Sequence, residues 1–195
     1  MATLADLGIQ KNWTYETIIS CFNGDIPHAA PFGIKSPDMK TIQIKMYKGS
    51  DTLAFILDKK EFVINFIDEP IYFFNSLYNR NQLCFTEAGN VKAPVIIDSP
   101  AFIEAKMTDN TENLQSYIVN AEIAGISVNN TPGLFNRAES LVIESLITAT
   151  RLNHIADGKA EEILNENYRI IKKVAPGSQH VDTMEKLLNK CLILK

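Results

Sequence analysis

The sequence predicts a mainly β domain with short helices, followed by a wholly helical segment, on three observations. Successive short runs, either alternating apolar with polar or rich in aromatic and β-branched residues, extend to about residue 128. Asn23-Gly24 joins the first two of these runs, and both residues tolerate the positive φ of a tight hairpin turn. Beyond Asn129-Asn130-Thr131-Pro132-Gly133 the apolar residues recur at helical spacing. The boundary is placed there, with residues 1–130 as one domain and 131–195 as a C-terminal helical subdomain.

Residues 13–22, rich in aromatic and β-branched side chains, predict the first strand. A second follows over about 28–35. Pro27 and Pro31 remove backbone donors from it, so it is an edge strand or one whose pairing is interrupted where a ligand sits. Ser36-Pro37-Asp38 is a turn, and the strict alternation of Thr41–Tyr47 predicts a strand with one buried face. Ser50 then suits a helix N-cap, Asp51 suits the positive end of the helix dipole, and Leu53, Phe55, Ile56 and Leu57 supply an apolar face. Residues 61–67 return to strand, with Asn65 inside it.

Pro70 fits the first turn of another short helix, running through Tyr72, Phe73 and Leu77. Signals over 79–98 are mixed, with a turn at Glu87-Ala88-Gly89-Asn90 the clearest. Two long strands over 101–109 and 115–128 are joined by the polar residues 109–113. So many strands separated by short helices suggest a barrel or a strongly curved sheet. In the helical part, Leu141, Ser145, Leu146, Ala149 and Leu152 share one face of a helix over about 136–154. Ile163, Leu164, Asn167, Ile170, Ile171 and Val174 do the same before Pro176-Gly177, and Val181, Met184, Leu187, Leu188 and Cys191 mark a third helix.

The 195 residues, 46% of them hydrophobic, are enough to bury a full core without metal or disulfide staples. A net charge of -4 leaves no basic footprint for a phosphate backbone, which argues against nucleic acid. No apolar run approaches a bilayer span and no leader pattern opens the chain, so a soluble cytoplasmic protein without a membrane partner is expected. The scattered Cys21, Cys84 and Cys191 fit a reducing compartment and no zinc site. The sequence contains no Gly-x-Ser-x-Gly elbow, no His/Glu pair at helical ligand spacing, no Walker loop and no Gly-x-Gly-x-x-Gly.

The remaining candidate is the stretch 27–52. Small residues at Ala29, Ala30 and Gly33 let the backbone approach a flat ring whose polar edge needs amide partners. At its far end Gly49 permits close approach, Ser50 and Thr52 offer hydroxyls, Lys48 can add charge, and a helix start attracts phosphate. A flavin has this shape. A kinked edge strand followed by ordinary helix capping fits the same residues.

Tyr15-Glu16-Thr17-Ile18-Ile19, His28-Ala29-Ala30-Pro31-Phe32-Gly33, Lys48-Gly49-Ser50-x-Thr52 and Phe62-Val63-Ile64-Asn65 resemble, in order and spacing, an uncharacterised archaeal family of FMN-binding split-barrel proteins distantly akin to flavin reductases and flavoredoxin. Asn136-Arg137-Ala138-Glu139 and the segment ending Thr150-Arg151-Leu152 resemble its C-terminal signature. The resemblance implies an FMN-binding split β-barrel followed by a helical subdomain, a homodimer, and FMN near the subunit interface. By position, Ala30, Pro31, Phe32 and Gly33 would border the ring, and Lys48, Gly49, Ser50 and Thr52 would hold the phosphate. The chain departs from the family at His28 and near Ala54, where Asn is common.

Arg137 and Arg151 can reach an anion or pair with Glu139, Glu144 or a neighbouring subunit. His154 fits a helix-dipole partner, Trp13 and Cys21 fit the core, and Asn65 needs buried partners that a ligand can supply. The expected function is a flavin-dependent oxidoreductase using a small-molecule donor or acceptor. The alternative is a flavin carrier or sensor without turnover, and no catalytic residue separates the two.

Overall fold

The computed structural model describes residues 2–150, 152 and 158–193; Arg151 and His154 lie outside the described residues. The chain divides into two units, one of residues 1–11 and 15–135 and the other of residues 12–14 and 136–195.

In the first unit, β1 (Tyr15–Asn23), β2 (Ile26–Lys35), β3 (Thr41–Tyr47), β4 (Glu61–Phe66), β7 (Ala101–Glu112) and β8 (Ser116–Val128) close a barrel in the order β1-β2-β3-β8-β7-β4. Helix α1 (Asp51–Lys59) links β3 to β4, and α2 (Pro70–Tyr78) precedes a 3-10 turn at Arg80–Gln82. The short β5 (Phe85–Glu87) and β6 (Pro94–Ile96) pair as a separate two-stranded sheet.

The hairpin turn falls one residue later than the sequence suggests, at Gly24-Asp25: Asn23 ends β1 paired with Ile26, and of the two expected residues Gly24 alone takes a positive φ, 61°. Along β3 the alternation is realised directly, with Ile42, Ile44 and Met46 buried between more exposed neighbours. Cross-strand partners share a face of the sheet. The partners Ile34–Ile44 and Ile44–Val119 therefore place these side chains in the barrel interior, with Ile19, Ile64 and Ile103 on the same inner face through their own pairings. Ile18 and Asn65 belong to the outer face, where Ile18 packs with Ala29, Ile67, Leu83 and Ile96.

The segment carrying β5 and β6 is fastened to this outer face mainly by side chains. Asn65 Nδ2 donates to the Ile18 carbonyl at 2.9 Å and to Ser20 Oγ at 2.8 Å, while its Oδ1 accepts from the Ile96 amide at 3.0 Å. Ser20 Oγ in turn donates to the Pro94 carbonyl. The buried carboxylate of Glu104 accepts from the amides of Gly89 and Asn90, and Glu61 accepts from Lys92. These bonds explain why residues 79–98 show weak periodicity: each strand there is three residues long and its position is set by contacts distant in sequence. Protein atoms supply every partner of Asn65, so the sequence reading that a ligand completes it does not hold.

The long hairpin also differs from expectation. Its turn falls at residues 113–115, because residues 109–112 pair with 117–120 after register shifts between Glu104 and Ala105 and between Met107 and Asp109.

The second unit contains α3 (Arg137–Thr150), α4 (Lys159–Val174) and α5 (Gln179–Ile193). Its core is Ala138, Val142, Ile171, Val174, Ala175 and Met184, with Trp13 packed against it. Trp13 thus serves the helical core and not the first strand. Thr14 N–H donates to the Val174 carbonyl, and Asn136 Nδ2 donates to the carbonyls of both Thr14 and Val174. The buried face of α3 runs through Ala138, Val142 and Ser145, leaving Leu146 40% exposed.

Replacing Asn65 by Leu leaves the Ile96 amide buried without an acceptor. This variant is expected to lose about 2 kcal/mol of stability, read as a lower urea midpoint at unchanged slope; an unchanged midpoint would show that the Asn65 network does not fasten the β5–β6 segment.

Candidate functional site

β2 pairs with β1 along the whole of β1, but with β3 only at Ile34 and Lys35. Among the described residues, no strand covers its second edge over 26–33. The prolines explain the geometry. Pro27 and Pro31 stand four residues apart, so their nitrogens point to the same edge of the strand. A ladder with β1 on that edge would lack two donors. The prolines therefore turn to the open edge, where Ala29 and Gly33 are left as the N–H donors. The Ala29 carbonyl accepts a hydrogen bond from Arg80 Nε at 3.0 Å.

The side chains of β2 divide by parity. Ala30, Phe32 and His28 share the inner side with Ile34, and Pro31 and Gly33 share the outer side with Ala29. Ala30 is buried, whereas Pro31, Phe32 and Gly33 are half-buried.

Helix α1 packs across β1, β2 and β4 through Leu53 and Ile56. Gly49, at φ 84°, turns the chain into it, a conformation that favours glycine. Ser50 occupies the N-cap position with extended backbone, yet its side chain makes no capping bond. The first helical bond runs from Ala54 N–H to the Ser50 carbonyl. The amides of Asp51, Thr52 and Leu53 accordingly precede the intrahelical ladder and point out of the helix start.

Strand edge and helix start meet at one bond. His28 Nε2 lies 2.8 Å from Thr52 Oγ1, both residues buried, and Phe55 meets the imidazole edge-on at 5.1 Å. When Nε2 carries the proton, the imidazole donates and the Thr52 hydroxyl keeps its own hydrogen for another acceptor. Burial, and next the charge of Arg80, hold the His28 imidazole below its ordinary range, with Asp51 pulling the other way. The remaining expected residue, Lys48, is turned to the β7–β8 hairpin: its Nζ pairs with Glu112 at 2.5 Å and lies 5.7 Å from the Tyr117 ring centroid. The structure thus joins the strand carrying Ala30, Pro31, Phe32 and Gly33 to the helix start after Gly49 and Ser50 through the His28–Thr52 bond, and turns the Lys48 ammonium to the β7–β8 hairpin.

Sequence reading missed the roles of His28 and Arg80. His28 was visible only as a departure from the usual Asn, and Arg80 lies in the segment of mixed signals. Cys21, directly opposite His28 across the β1–β2 ladder, is chemically quiet, because burial pushes its thiol up to about 12. Among the described residues, no group of His, Cys, Asp and Glu is placed to hold a metal ion, and no helix is long and apolar enough to cross a membrane.

Solved structures of flavin reductase-like proteins share the fold of this closed six-stranded barrel. The chain is similar to an FMN-bound protein of Methanosarcina mazei, described as a DUF447 protein, with 23% identity, coverage of 96% of this chain and 99% of that one, and a TM-score of 0.58. It is similar to the flavin reductase PheA2 at 21% identity, over 63% of this chain and 85% of that one, with a TM-score of 0.54. The corresponding values for the 2-nitrobenzoate 2-nitroreductase of Pseudomonas fluorescens are 21%, 63%, 68% and 0.51.

The family follows from the sequence itself. Residues 15–130 match the N-terminal domain model of DUF447, a protein family of unknown function, and residues 136–189 match a second model of the same family, so the chain belongs to DUF447. An uncharacterized protein of the archaeon Methanocaldococcus jannaschii is 25% identical over 192 residues, covering 92% of this chain and 98% of that protein.

Because the folded state holds His28 neutral, the unfolded chain takes up its proton first as pH falls. The stability this residue contributes is complete above about pH 6.5 and is lost progressively below it. NMR titration is expected to place the His28 midpoint under that value, and His28→Asn is expected to narrow the gap between urea midpoints at pH 7 and pH 5; a midpoint at or above it would contradict the buried, cation-facing geometry.

Proposed function

We propose that the protein binds FMN, with the isoalloxazine ring against the open edge of β2 and the phosphate at the start of α1, and acts as a flavin-dependent oxidoreductase on small-molecule electron donors or acceptors. The observation that carries this reading is the His28–Thr52 bond, which holds an uncovered strand edge and an uncapped helix start side by side. A flat ring tethered to a phosphate needs these two features at once. The M. mazei protein, of the same family and fold, binds FMN, which supports the reading.

In this reading Ala30, Pro31, Phe32 and Gly33 border the ring. Their small size and the half-buried Gly33 amide matter more than any functional side chain. Gly49, Ser50, Thr52 and the amides of residues 51–53 hold the phosphate. Lys48 joins them by exchanging Glu112 for the phosphate, an exchange that an exposed ion pair allows. FMN supplies the electron transfer when bound, and the chain supplies position and electrostatics.

The same reading includes a homodimer. On α2, Ile71, Phe74, Leu77 and Tyr78 remain exposed, and they are spaced to form one apolar side of the helix. The free cysteines Cys21, Cys84 and Cys191 fit a cytoplasmic setting.

Purified protein is expected to take up added FMN, to sediment at twice 21.8 kDa, and to lose affinity by about tenfold or more when Ser50 and Thr52 are both changed to Ala. Failure to bind FMN would refute the reading. Bleaching of the bound flavin by NADH, NADPH or a reduced deazaflavin under anaerobic conditions identifies an oxidoreductase, whereas a flavin that none of them reduces identifies a carrier or sensor.

A further inference from the structure

We propose that Arg80 is a phosphate-binding residue, the resident cation of the helix-start site. This inference rests on the flavin reading above, which it deepens. Arg80 hangs its guanidinium on the open strand through one nitrogen. Its Nε–H is shared between the Ala29 carbonyl at 3.0 Å and the Ser76 carbonyl at 2.9 Å. That bond fixes the plane of the group and leaves the four Nη hydrogens uncommitted. Among the described residues, no carboxylate pairs with it.

The placement is what gives the guanidinium a ligand. Arg80 is anchored on Ala29, and Thr52 is anchored on His28, so the cation and the helix start are fastened to consecutive residues of β2. After burial, the positive charge of Arg80 is the next cause that lowers the His28 pKa. At the helix start itself the exposed carboxylate of Asp51 opposes any anion, and Lys48 is held by Glu112. Arg80 is the cation near this junction that needs no partner exchanged before it can bind. A planar fork of N–H donors suits a phosphate monoester, which accepts two parallel bonds.

Capping the C-terminal end of α2 through Ser76 is a structural role that Nε alone fulfils. It gives no reason for the Nη groups to discriminate between flavins. Riboflavin and FMN share the ring and the ribityl chain and differ in the phosphate, so the pair isolates the contact.

The test compares wild type with Arg80→Gln, which keeps an N–H for the Ala29 carbonyl, and with Arg80→Lys, which keeps the charge. In fluorescence titrations Arg80→Gln is expected to bind FMN about tenfold more weakly or worse with riboflavin affinity unchanged, and Arg80→Lys to retain part of the preference for FMN. Equal losses for both flavins, or no loss for either, would overturn the assignment. Should wild type bind neither flavin, the cofactor reading fails, and inorganic phosphate then decides the role of Arg80. A phosphate-induced shift of the His28 imidazole resonance in wild type but not in Arg80→Gln supports it, and the same shift in both proteins, or none in either, overturns it.

Discussion

The four-residue spacing of Pro27 and Pro31 is the constraint on which the site depends. It puts both missing donors on one edge of β2, which forces that edge away from β1 and leaves it without a strand partner over 26–33. An open edge is ordinarily a liability, because bare backbone groups invite another chain. Here the prolines themselves thin the donors, Arg80 takes the Ala29 carbonyl, and α1 stands beside the edge through the His28–Thr52 bond. In the flavin reading proposed above, this gap in the ladder is the seat of the flat ring.

The barrel makes this strand rigid. Ile19, Ile34, Ile44 and Ile64 fill the interior behind it, all essentially inaccessible to solvent. On the outer face the Asn65 network clamps β6 across β1 and β4. Ala29 packs on that side against Leu83 and Ile96 and is fully buried, so the strand is held from both faces while its second edge lacks a strand partner over 26–33. Position and openness are supplied by different sets of contacts.

The sequence made the regular elements legible and the fastenings illegible. The alternation of Thr41–Tyr47 and the helix opening after Gly49 are local signals, each realised locally, whereas the first hairpin turn falls at Gly24-Asp25, one residue past the expected Asn23-Gly24. Pro27 and Pro31 predicted an edge strand or an interrupted pairing; β2 is no edge strand, since it lies between β1 and β3 in the closed barrel, but its pairing with β3 is limited to Ile34 and Lys35. By contrast, β5 and β6 depend on Asn65, Ser20, Glu61 and Glu104, whose partners lie 14 to 74 residues away. No periodicity encodes such bonds. Trp13 adjoins the first strand in sequence but packs into the helical core. Within the candidate site, residue types did not reveal that His28 would bond Thr52, that Lys48 would pair with Glu112, or that Arg80 of the 3-10 turn would take the Ala29 carbonyl.

The central claim is that the open edge of β2 and the start of α1 together form one flavin seat. A crystal structure of the protein with FMN tests it most directly. The account places the ring against the backbone of residues 30–33 and the phosphate within hydrogen-bond reach of the Asp51, Thr52 and Leu53 amides. A flavin seated elsewhere, with the edge of β2 still bare, would contradict it.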